Sequence, residues 1–206
     1  MPGLLLDYTA MKRFRNPVLA ALLAGGACLS GMAAGFSAAM PAWADQTDPR
    51  LNPLFERLRA TESPEPARLV ELMIWRFWTE SGSAEIDDLM SAGAAAMEQG
   101  DFAEARNLLD QVIAARPTFA EAWNRRATMF YLAGDYPASL ADIEHVLELE
   151  PRHFGALSGL GLVNLALGRE EAALDAFGRV LALYPANEAA RSNRDAIERQ
   201  LKERDI

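Results

Sequence analysis

The chain repeats the same landmark residues at a fixed spacing of 34 positions. Three series keep this register: Pro117, Pro151 and Pro185; Gly100, Gly134 and Gly168; and Gly93, Ala127 and Gly161. A period of this size indicates supersecondary units that stack along the chain and bury their apolar faces against one another. The sequence therefore predicts a stack of at least three copied units.

Each unit contains two apolar-periodic segments of about fourteen residues, which is the pattern of two amphipathic helices. The first helix is expected to end at the glycine, which adopts a left-handed conformation without strain, and the second just before the proline. Asp101 and Asp135 follow two of the glycines and can cap the next helix. Arg169 stands at that place in the third unit and cannot accept such a hydrogen bond, so the third turn should be weaker.

The pattern resembles the tetratricopeptide repeat over about residues 86–185. The residues that carry the resemblance are, unit by unit, Leu89, Ala92, Gly93, Ala96, Ala105, Leu109, Val112 and Pro117; Trp123, Arg126, Ala127, Phe130, Ser139, Ile143, Val146 and Pro151; and Leu157, Leu160, Gly161, Asn164, Ala173, Phe177, Val180 and Pro185. The chain departs from the family pattern at Ala96, Arg126 and Asn164, where the local packing is open to question. The resemblance implies an all-α solenoid of stacked antiparallel helical hairpins.

Four segments are predicted along the chain: an N-terminal extension with a signal peptide (1–44), a helical hairpin (45–84), three repeats (85–185) and a capping helix (186–206). The hairpin reads as a degenerate half repeat, because counting back one period places Trp75 and Trp78 at the positions of Leu109 and Val112. Two interpretations are open for these tryptophans. Either they plug the end of the core, or they form a second, exposed docking face.

The first 44 residues have the features of an export signal. Lys12, Arg13 and Arg15 precede an apolar run over 18–40, and the stretch ends in the small-x-small sequence Ala42-Trp43-Ala44. Cleavage after Ala44 would release the rest of the chain into the periplasm. Alternatives are an uncleaved inner-membrane anchor with the domain facing the periplasm, and a lipoprotein with Cys28 at its N-terminus.

Charge and cysteine content exclude several classes of partner and chemistry. The chain has 20 basic and 29 acidic residues, and removing Lys12, Arg13, Arg15 and Asp7 with the leader leaves 17 and 28. An acidic domain of this kind repels nucleic acid and anionic lipid. The single cysteine lies in the leader, so no disulfide, cysteine metal site or thiol nucleophile is expected in the domain.

No constellation for catalysis, metal binding or cofactor binding is predicted. Asp142 and His145 share a helix face, but one pair provides too few ligands, and a solvated acidic face is the simpler interpretation. His153 stands at the start of a helix, where an exposed polar side chain is expected. No nucleophile motif or phosphate-binding loop is present in the sequence. We therefore expect neither a cofactor nor enzymatic activity.

The resemblance implies a concave groove lined by the first helix of each repeat. Its residues would be Met90, Ala94, Met97, Asn124, Thr128, Tyr131, Ser158, Leu162 and Leu165. Only Asn124 matches the basic and amide residues with which cytoplasmic members hold acidic C-terminal tails. A mostly apolar groove suits an amphipathic helix or an extended apolar segment. Alternatively, the C-terminal helix of the chain itself fills part of the groove.

These features predict a periplasmic scaffold that binds an envelope protein or peptide through the apolar groove. One alternative is a structural homo-oligomer assembled through the Trp-containing hairpin. Another is an accessory subunit of an inner-membrane complex, which requires the N-terminal segment to stay attached. The identity of the partner and its pathway do not follow from the residues.

Overall fold

A computed structural model describes residues 45–204, and that part of the chain contains nine α-helices and no β-strand. The predicted signal peptide, its cleavage site and Cys28 lie outside the described residues. The helices are α1 (Leu51–Ala60), α2 (Pro64–Thr79), α3 (Ala84–Gln99), α4 (Phe102–Ala115), α5 (Ala120–Ala133), α6 (Tyr136–Leu149), α7 (Phe154–Ala166), α8 (Glu170–Leu183) and α9 (Glu188–Arg204). Among the described residues, none of the helices combines the length and the apolar character needed to cross a bilayer.

The helices pair as the repeat predicts. Each of α3, α5 and α7 packs against the helix that follows it, and α4 and α6 pack in turn against the next pair. Helix α5 also contacts both α3 and α7, so these three helices form the inner layer of the stack. The predicted all-α tetratricopeptide-like solenoid is confirmed.

The glycine turns have the predicted backbone. Gly100, Gly134 and Gly168 have φ of 76°, 80° and 68°, the left-handed region that a glycine enters without strain. Asp101 and Asp135 then accept hydrogen bonds from amides of the following helix, at 3.0 and 3.2 Å. At the third turn, Arg169 makes no side-chain cap, as its chemistry requires.

Small residues allow the two helices of a repeat to approach closely. A Cβ atom added to Gly161 would lie 2.6 Å from the ring of Phe177, and one added to Gly93 would lie 3.4 Å from Leu109. Ser139 donates from its hydroxyl to the Ala127 carbonyl at 2.8 Å. The alternation of small and large residues in the motif therefore corresponds to helix contacts within each repeat.

Arg126, which departs from the family pattern, forms a link between helices. Its guanidinium bonds both oxygens of Asp142 at 2.8 Å and reaches Asp110 at 2.6 Å. Asp110 belongs to α4 and Asp142 to α6, so the arginine of α5 joins the outer helices of the first two repeats. A salt-bridged arginine replaces the apolar contact expected at this position.

The predicted capping helix is α9, which packs on α8. Ala190 and Ile197 are buried, and most of the other side chains of α9 are polar. Arg204 near its C-terminal end pairs with Glu170 at the start of α8. This helix covers the last repeat, and its main contacts are with α8, the outer helix of that repeat.

Helices α1 and α2 form the predicted N-terminal hairpin, but they do not take the place of a half repeat ahead of α3. They pack on each other, and in addition α1 packs on α8 and α2 packs on α5. The connection to α3 runs through Gly82, which has a φ of 74°. The hairpin therefore folds back across the stack, because its aromatic residues find apolar partners in the second half of the solenoid.

Candidate protein-binding groove

Helices α3, α5 and α7 present the inner surface on which the sequence places a binding groove. Seven of the nine predicted residues are partly exposed there: Ala94, Met97, Thr128, Tyr131, Ser158, Leu162 and Leu165. Two hydroxyls in this set are used within their own helices, since Thr128 donates to the Asn124 carbonyl and Ser158 to the Phe154 carbonyl. Burial raises the pKa of the Tyr131 phenol above its ordinary value, so it stays neutral. These seven side chains are therefore uncharged and mainly apolar.

Met90 and Asn124 are not exposed in the groove, and their assignment as accessible lining residues is wrong. Met90 is 4% exposed and packs in the core with Leu109 and Ile113, which its flexible side chain reaches from α3. Asn124 is buried because its amide donates to the Glu121 carboxylate at 2.9 Å. Core packing explains the burial of Met90, and the hydrogen bond to the buried Glu121 carboxylate explains that of Asn124.

The N-terminal hairpin covers one end of the inner surface. The Trp78 indole stacks on the His153 imidazole, with ring centroids 4.1 Å apart and planes 8° apart. Trp75 contacts Phe154 edge-on at 5.5 Å, and Phe55 of α1 lies 6.4 Å from the same ring. These aromatic residues join the hairpin to the beginning of α7.

Trp75 and Trp78 are 6% and 1% exposed, so an exposed docking face made by these two indoles is wrong. The alternative, in which they fill apolar space, agrees with their burial. However, they pack against His153 and Phe154 of the third repeat, and not at the N-terminal end of the stack ahead of α3. Aromatic side chains prefer such edge-to-face and offset contacts, which explains why they gather around His153 and Phe154.

Gly155 provides the space in which Trp75 lies. A Cβ atom at this position would be 2.7 Å from Cη2 of Trp75, closer than carbon atoms approach without a shift. Here the absence of a side chain permits the close contact between α2 and α7.

Polar contacts surround the aromatic cluster. The Tyr184 hydroxyl donates to Glu71 of α2 at 3.1 Å, and Arg152 donates to Asn52 of α1 at 2.8 Å. Burial raises the pKa of Tyr184, and the neighbouring Glu71 carboxylate raises it further. Burial also raises the pKa of Glu71, although the hydrogen bond from Tyr184 opposes this effect. Tyr184 and Glu71 are therefore hydrogen-bonded to each other at the junction between the hairpin and the repeats.

The segment before α1 is held by a second set of contacts. The Gln46 side chain donates to the Thr118 carbonyl at 2.6 Å and accepts from the Ala120 amide at 3.3 Å. Asp45 pairs with Arg116 at 3.3 Å. The described chain is therefore tied to the connection between α4 and α5 from its first residue onward.

The hairpin is an integral part of the domain, because its aromatic side chains bury a large apolar surface. An aromatic side chain of the size of Trp75, Trp78 or Phe55 buries about 150–250 Å². At about 25 cal/mol per Å², this corresponds to about 4–6 kcal/mol for each residue, as an upper bound. Opening the hairpin would expose all three side chains to water together, which opposes its separation from the repeats.

A buried polar network lies beneath the hairpin. Glu121 is 1% exposed, and its carboxylate is 3.5 Å from Nε2 of His153, 3.0 Å from Nε of Arg125 and 2.9 Å from the Asn124 amide. Burial opposes the charge on Glu121, but the hydrogen bond with His153 and the charge of Arg125 outweigh it, so its pKa lies below the ordinary value. His153 accepts from the Ala156 amide through Nδ1, and its Nε2 faces Glu121.

The sequence prediction missed His153 and Glu121 as structural residues. The expectation of an exposed residue at a helix start is wrong for His153, which is 0% exposed. It caps α7 through Nδ1, but the hairpin that buries it comes from a distant part of the chain. Glu121 carries no local cue, because its partners are brought together only by the fold.

Asp142 and His145, the one candidate metal-binding pair in the sequence, have different neighbours. Asp142 is buried and bonded to Arg126. His145 packs against the Trp123 ring at 4.1 Å and faces Glu148 at 3.4 Å. The structure therefore does not bring the two side chains to a common site.

With this geometry established, comparison with known proteins identifies the family. Residues 91–144 and 133–188 match a family model of the tetratricopeptide repeat. A TPR repeat-containing protein of Rhizobium etli is 40% identical over 152 residues, which are 74% of this chain and 74% of that protein. The chain belongs to the tetratricopeptide repeat family. It is thus a helical scaffold of the kind that supports protein–protein interaction.

Other tetratricopeptide proteins are similar over part of their length. The small glutamine-rich tetratricopeptide repeat-containing protein 2 of Saccharomyces cerevisiae is 29% identical over 68% of this chain, which corresponds to 40% of that protein. Among solved structures, the first TPR of Spaghetti (RPAP3) bound to the HSP90 peptide SRMEEVD has a TM-score of 0.55 and 24% identity, over 58% of this chain and 95% of that one. The Sgt2 TPR domain of Aspergillus fumigatus has a TM-score of 0.55 and 23% identity, over 60% and 83%. These structures support the fold.

Proposed function

We propose that this tetratricopeptide protein is an exported scaffold that binds an apolar segment of a cell-envelope protein in the open part of its groove. The observation that carries the proposal is the uncharged floor formed by Thr128, Tyr131, Leu162 and Leu165, which are partly exposed and have no lysine or arginine among them. An apolar surface of this kind binds through burial of apolar area. The scaffold needs no turnover of its own.

The composition of the floor also disfavours one class of partner, acidic peptides. Acidic peptides need basic or amide donors, and the one amide predicted in the groove, Asn124, is buried against Glu121. The HSP90 peptide SRMEEVD, which is bound to the similar RPAP3 domain, is therefore a poor guide to the partner of this chain. We propose an apolar recognition segment instead.

The binding experiment uses the protein expressed from its full sequence and recovered from the cell envelope. A Tyr131→Ala, Leu162→Glu variant places a charge in the floor and should lose the co-purified partner, whereas Ala182→Glu on the exposed side of α8 should retain it. Equal recovery of partners by all three proteins would contradict the groove assignment. Thermal unfolding of each variant shows that the domain is folded.

Export supports the envelope location within this proposal. The basic residues Lys12, Arg13 and Arg15, the apolar run and the Ala42-Trp43-Ala44 sequence form the pattern of a signal peptide. Mass spectrometry of the protein recovered from cells should find Asp45 as the first residue. A chain that retains residues 18–40 would instead favour the membrane-anchored accessory subunit.

A further inference from the structure

Five buried carboxylates in the described part of the chain are each paired with an arginine. The pairs are Asp45 with Arg116, Asp48 with Arg50, Glu121 with Arg125, Asp142 with Arg126, and Glu150 with Arg152. A positive partner of this kind offsets part of the cost of removing a carboxylate from water. Glu71 of α2, which is half-buried, is arranged differently.

Glu71 lies at the junction between the hairpin and the repeats. Its carboxylate accepts a hydrogen bond at 3.1 Å from the hydroxyl of Tyr184, the residue that follows α8. A phenol hydroxyl is a donor without a positive charge, so it satisfies one lone pair of the carboxylate and leaves its charge in place. The charged groups that act on this pair at longer range are Arg68 on α2 and Glu188 at the start of α9. The partner of Glu71 across the junction is therefore neutral.

This environment makes Glu71 hold a proton more tightly when the hairpin is docked. Burial raises its pKa, and the hydrogen bond from Tyr184 and the charge of Arg68 oppose that effect only in part. Burial also raises the pKa of Tyr184, so the phenol stays a donor while Glu71 titrates. When the hairpin leaves the repeats, Glu71 meets water and its pKa returns to the ordinary value of 4.5. Proton binding and docking therefore favour each other.

The direction of the pH effect follows from this difference in pKa between the docked and the open hairpin. The contribution of Glu71 to docking is complete below pH 4.5 and is lost as the pH rises through the higher pKa of the docked state. A protonated carboxyl group can both donate and accept, so the hydrogen bond with Tyr184 survives protonation. An ionised Glu71 instead places an uncompensated negative charge in the junction.

His153 is another titratable group that opening of the hairpin would uncover. It stacks on Trp78 and faces Glu121 through Nε2. The pKa of Glu121 lies below the ordinary value of 4.5, so this carboxylate stays ionised at higher pH. Histidine side chains change charge between about pH 5 and 8. The experiment therefore has to separate a contribution of His153 from that of Glu71.

We propose that the contact between Glu71 and Tyr184 is a pH-sensitive switch, in which a proton taken up by the Glu71 carboxyl group fastens the N-terminal hairpin to the third repeat and its release loosens the hairpin. The hairpin covers the beginning of α7, so the proton controls how often Phe154 and Gly155 become accessible. The switch requires no partner and goes beyond the proposed function.

Hydrogen exchange followed by mass spectrometry, on the protein expressed from its full sequence, measures the opening. Exchange rates of peptides from α1 and α2, divided by the intrinsic rates at each pH, give the opening constant of the hairpin, and peptides from α5 report on the stack. We expect the hairpin to open more often than α5. We expect its opening constant to rise at least about threefold between about pH 5 and about pH 7.5.

Three variants identify the group that responds. Glu71→Gln keeps an acceptor for Tyr184 without the charge, and at about pH 7.5 its hairpin should open at least about threefold less often than that of the wild type. Glu56→Gln on the exposed side of α1 is the matched control and should follow the wild type at every pH. Arg68→Gln removes a charge that favours ionised Glu71, so it should move the rise to higher pH, which a purely structural role of Glu71 would not do. Thermal unfolding shows that each variant is folded.

Four outcomes would overturn the switch. One is a hairpin opening constant that does not change with pH in the wild type, or that falls as the pH rises. Another is a rise of the same size in Glu71→Gln, which would assign the effect to His153 or another group. The third is more frequent opening in Glu71→Gln than in the wild type at about pH 7.5, because ionised Glu71 would then stabilise docking. The fourth is equal opening constants for α2 and α5, since the hairpin would then open only when the whole domain unfolds.

Discussion

The Trp78 indole lies parallel to the His153 imidazole at a centroid distance of 4.1 Å. This pair connects the N-terminal hairpin to the third repeat, two segments with no sequence proximity. The imidazole also accepts from the Ala156 amide through Nδ1 and faces Glu121 through Nε2. Stacking thus links the hairpin to the buried polar network beneath it.

Replacing Trp78 by alanine should lower the free energy of unfolding by about 3–5 kcal/mol, the usual loss for a buried large aromatic residue. Urea unfolding measures the change. Leu69→Ala on the exposed face of the same helix is the control and should change stability by less than about 0.5 kcal/mol. Similar losses for the two variants would show that the hairpin is not packed as described.

Glu121 should contribute to a pH dependence of stability. Its pKa is lower in the folded protein than its ordinary value of 4.5, so ionised Glu121 stabilises the fold fully above that pH. This contribution is lost as the pH falls through the lower, folded-state pKa. Glu121→Gln should be less stable than the wild type at pH 7 by about 1–3 kcal/mol. The difference should shrink in unfolding measurements below about pH 4.5, and a constant difference would contradict the prediction.

Arg126 should contribute to stability mainly because it neutralises the buried Asp142 carboxylate. Arg126→Leu restores a residue typical of the family but leaves Asp142, which is 4% exposed, without its cation, and we expect a loss of about 1–3 kcal/mol. The double variant Arg126→Leu, Asp142→Leu replaces the pair by apolar contact and should recover most of that stability. A double-mutant cycle from urea unfolding checks this, and equal losses in the single and double variants would contradict it.

Two glycines of the third repeat should respond in opposite directions to alanine. In Gly161→Ala the new methyl group meets the Phe177 ring at 2.6 Å, and we expect a loss of about 1–3 kcal/mol from overpacking. Gly178 has no neighbour within 4 Å of such a methyl group. Gly178→Ala should therefore stabilise α8 by about 0.5–1 kcal/mol. Thermal or urea unfolding of the two variants measures both signs, and a gain with Gly161→Ala would refute the close helix contact.

The repeat architecture could be predicted because its determinants are local. The glycines at 100, 134 and 168 and the aspartates that follow two of them act within one turn, and the small residues Gly93 and Gly161 contact a helix only one element away. Such contacts leave a periodic trace in the sequence. The same locality explains why the missing cap at Arg169 was also predictable.

The arrangement at the groove was less predictable because it depends on distant segments. The exposure expected for His153 is wrong, since the residue that covers it, Trp78, belongs to the hairpin. Filling of the groove by the C-terminal helix is one alternative that the sequence leaves open, but none of the sequence-based interpretations has the N-terminal hairpin covering one end of the inner surface. Gly155 is a residue of ordinary appearance in the sequence, and only the neighbouring Trp75 gives it a role.

The hydrogen bond between Glu71 and Tyr184 spans 113 positions of the chain. During synthesis the hairpin leaves the ribosome before α7 and α8 exist, whereas the repeats can assemble from nearby pairs as they emerge. Phe55, Trp75 and Trp78 must therefore wait for the third repeat, and the nascent chain carries these three aromatic rings unprotected until its last quarter is made. A chaperone that protects this protein before it folds has a reason to hold α1 and α2.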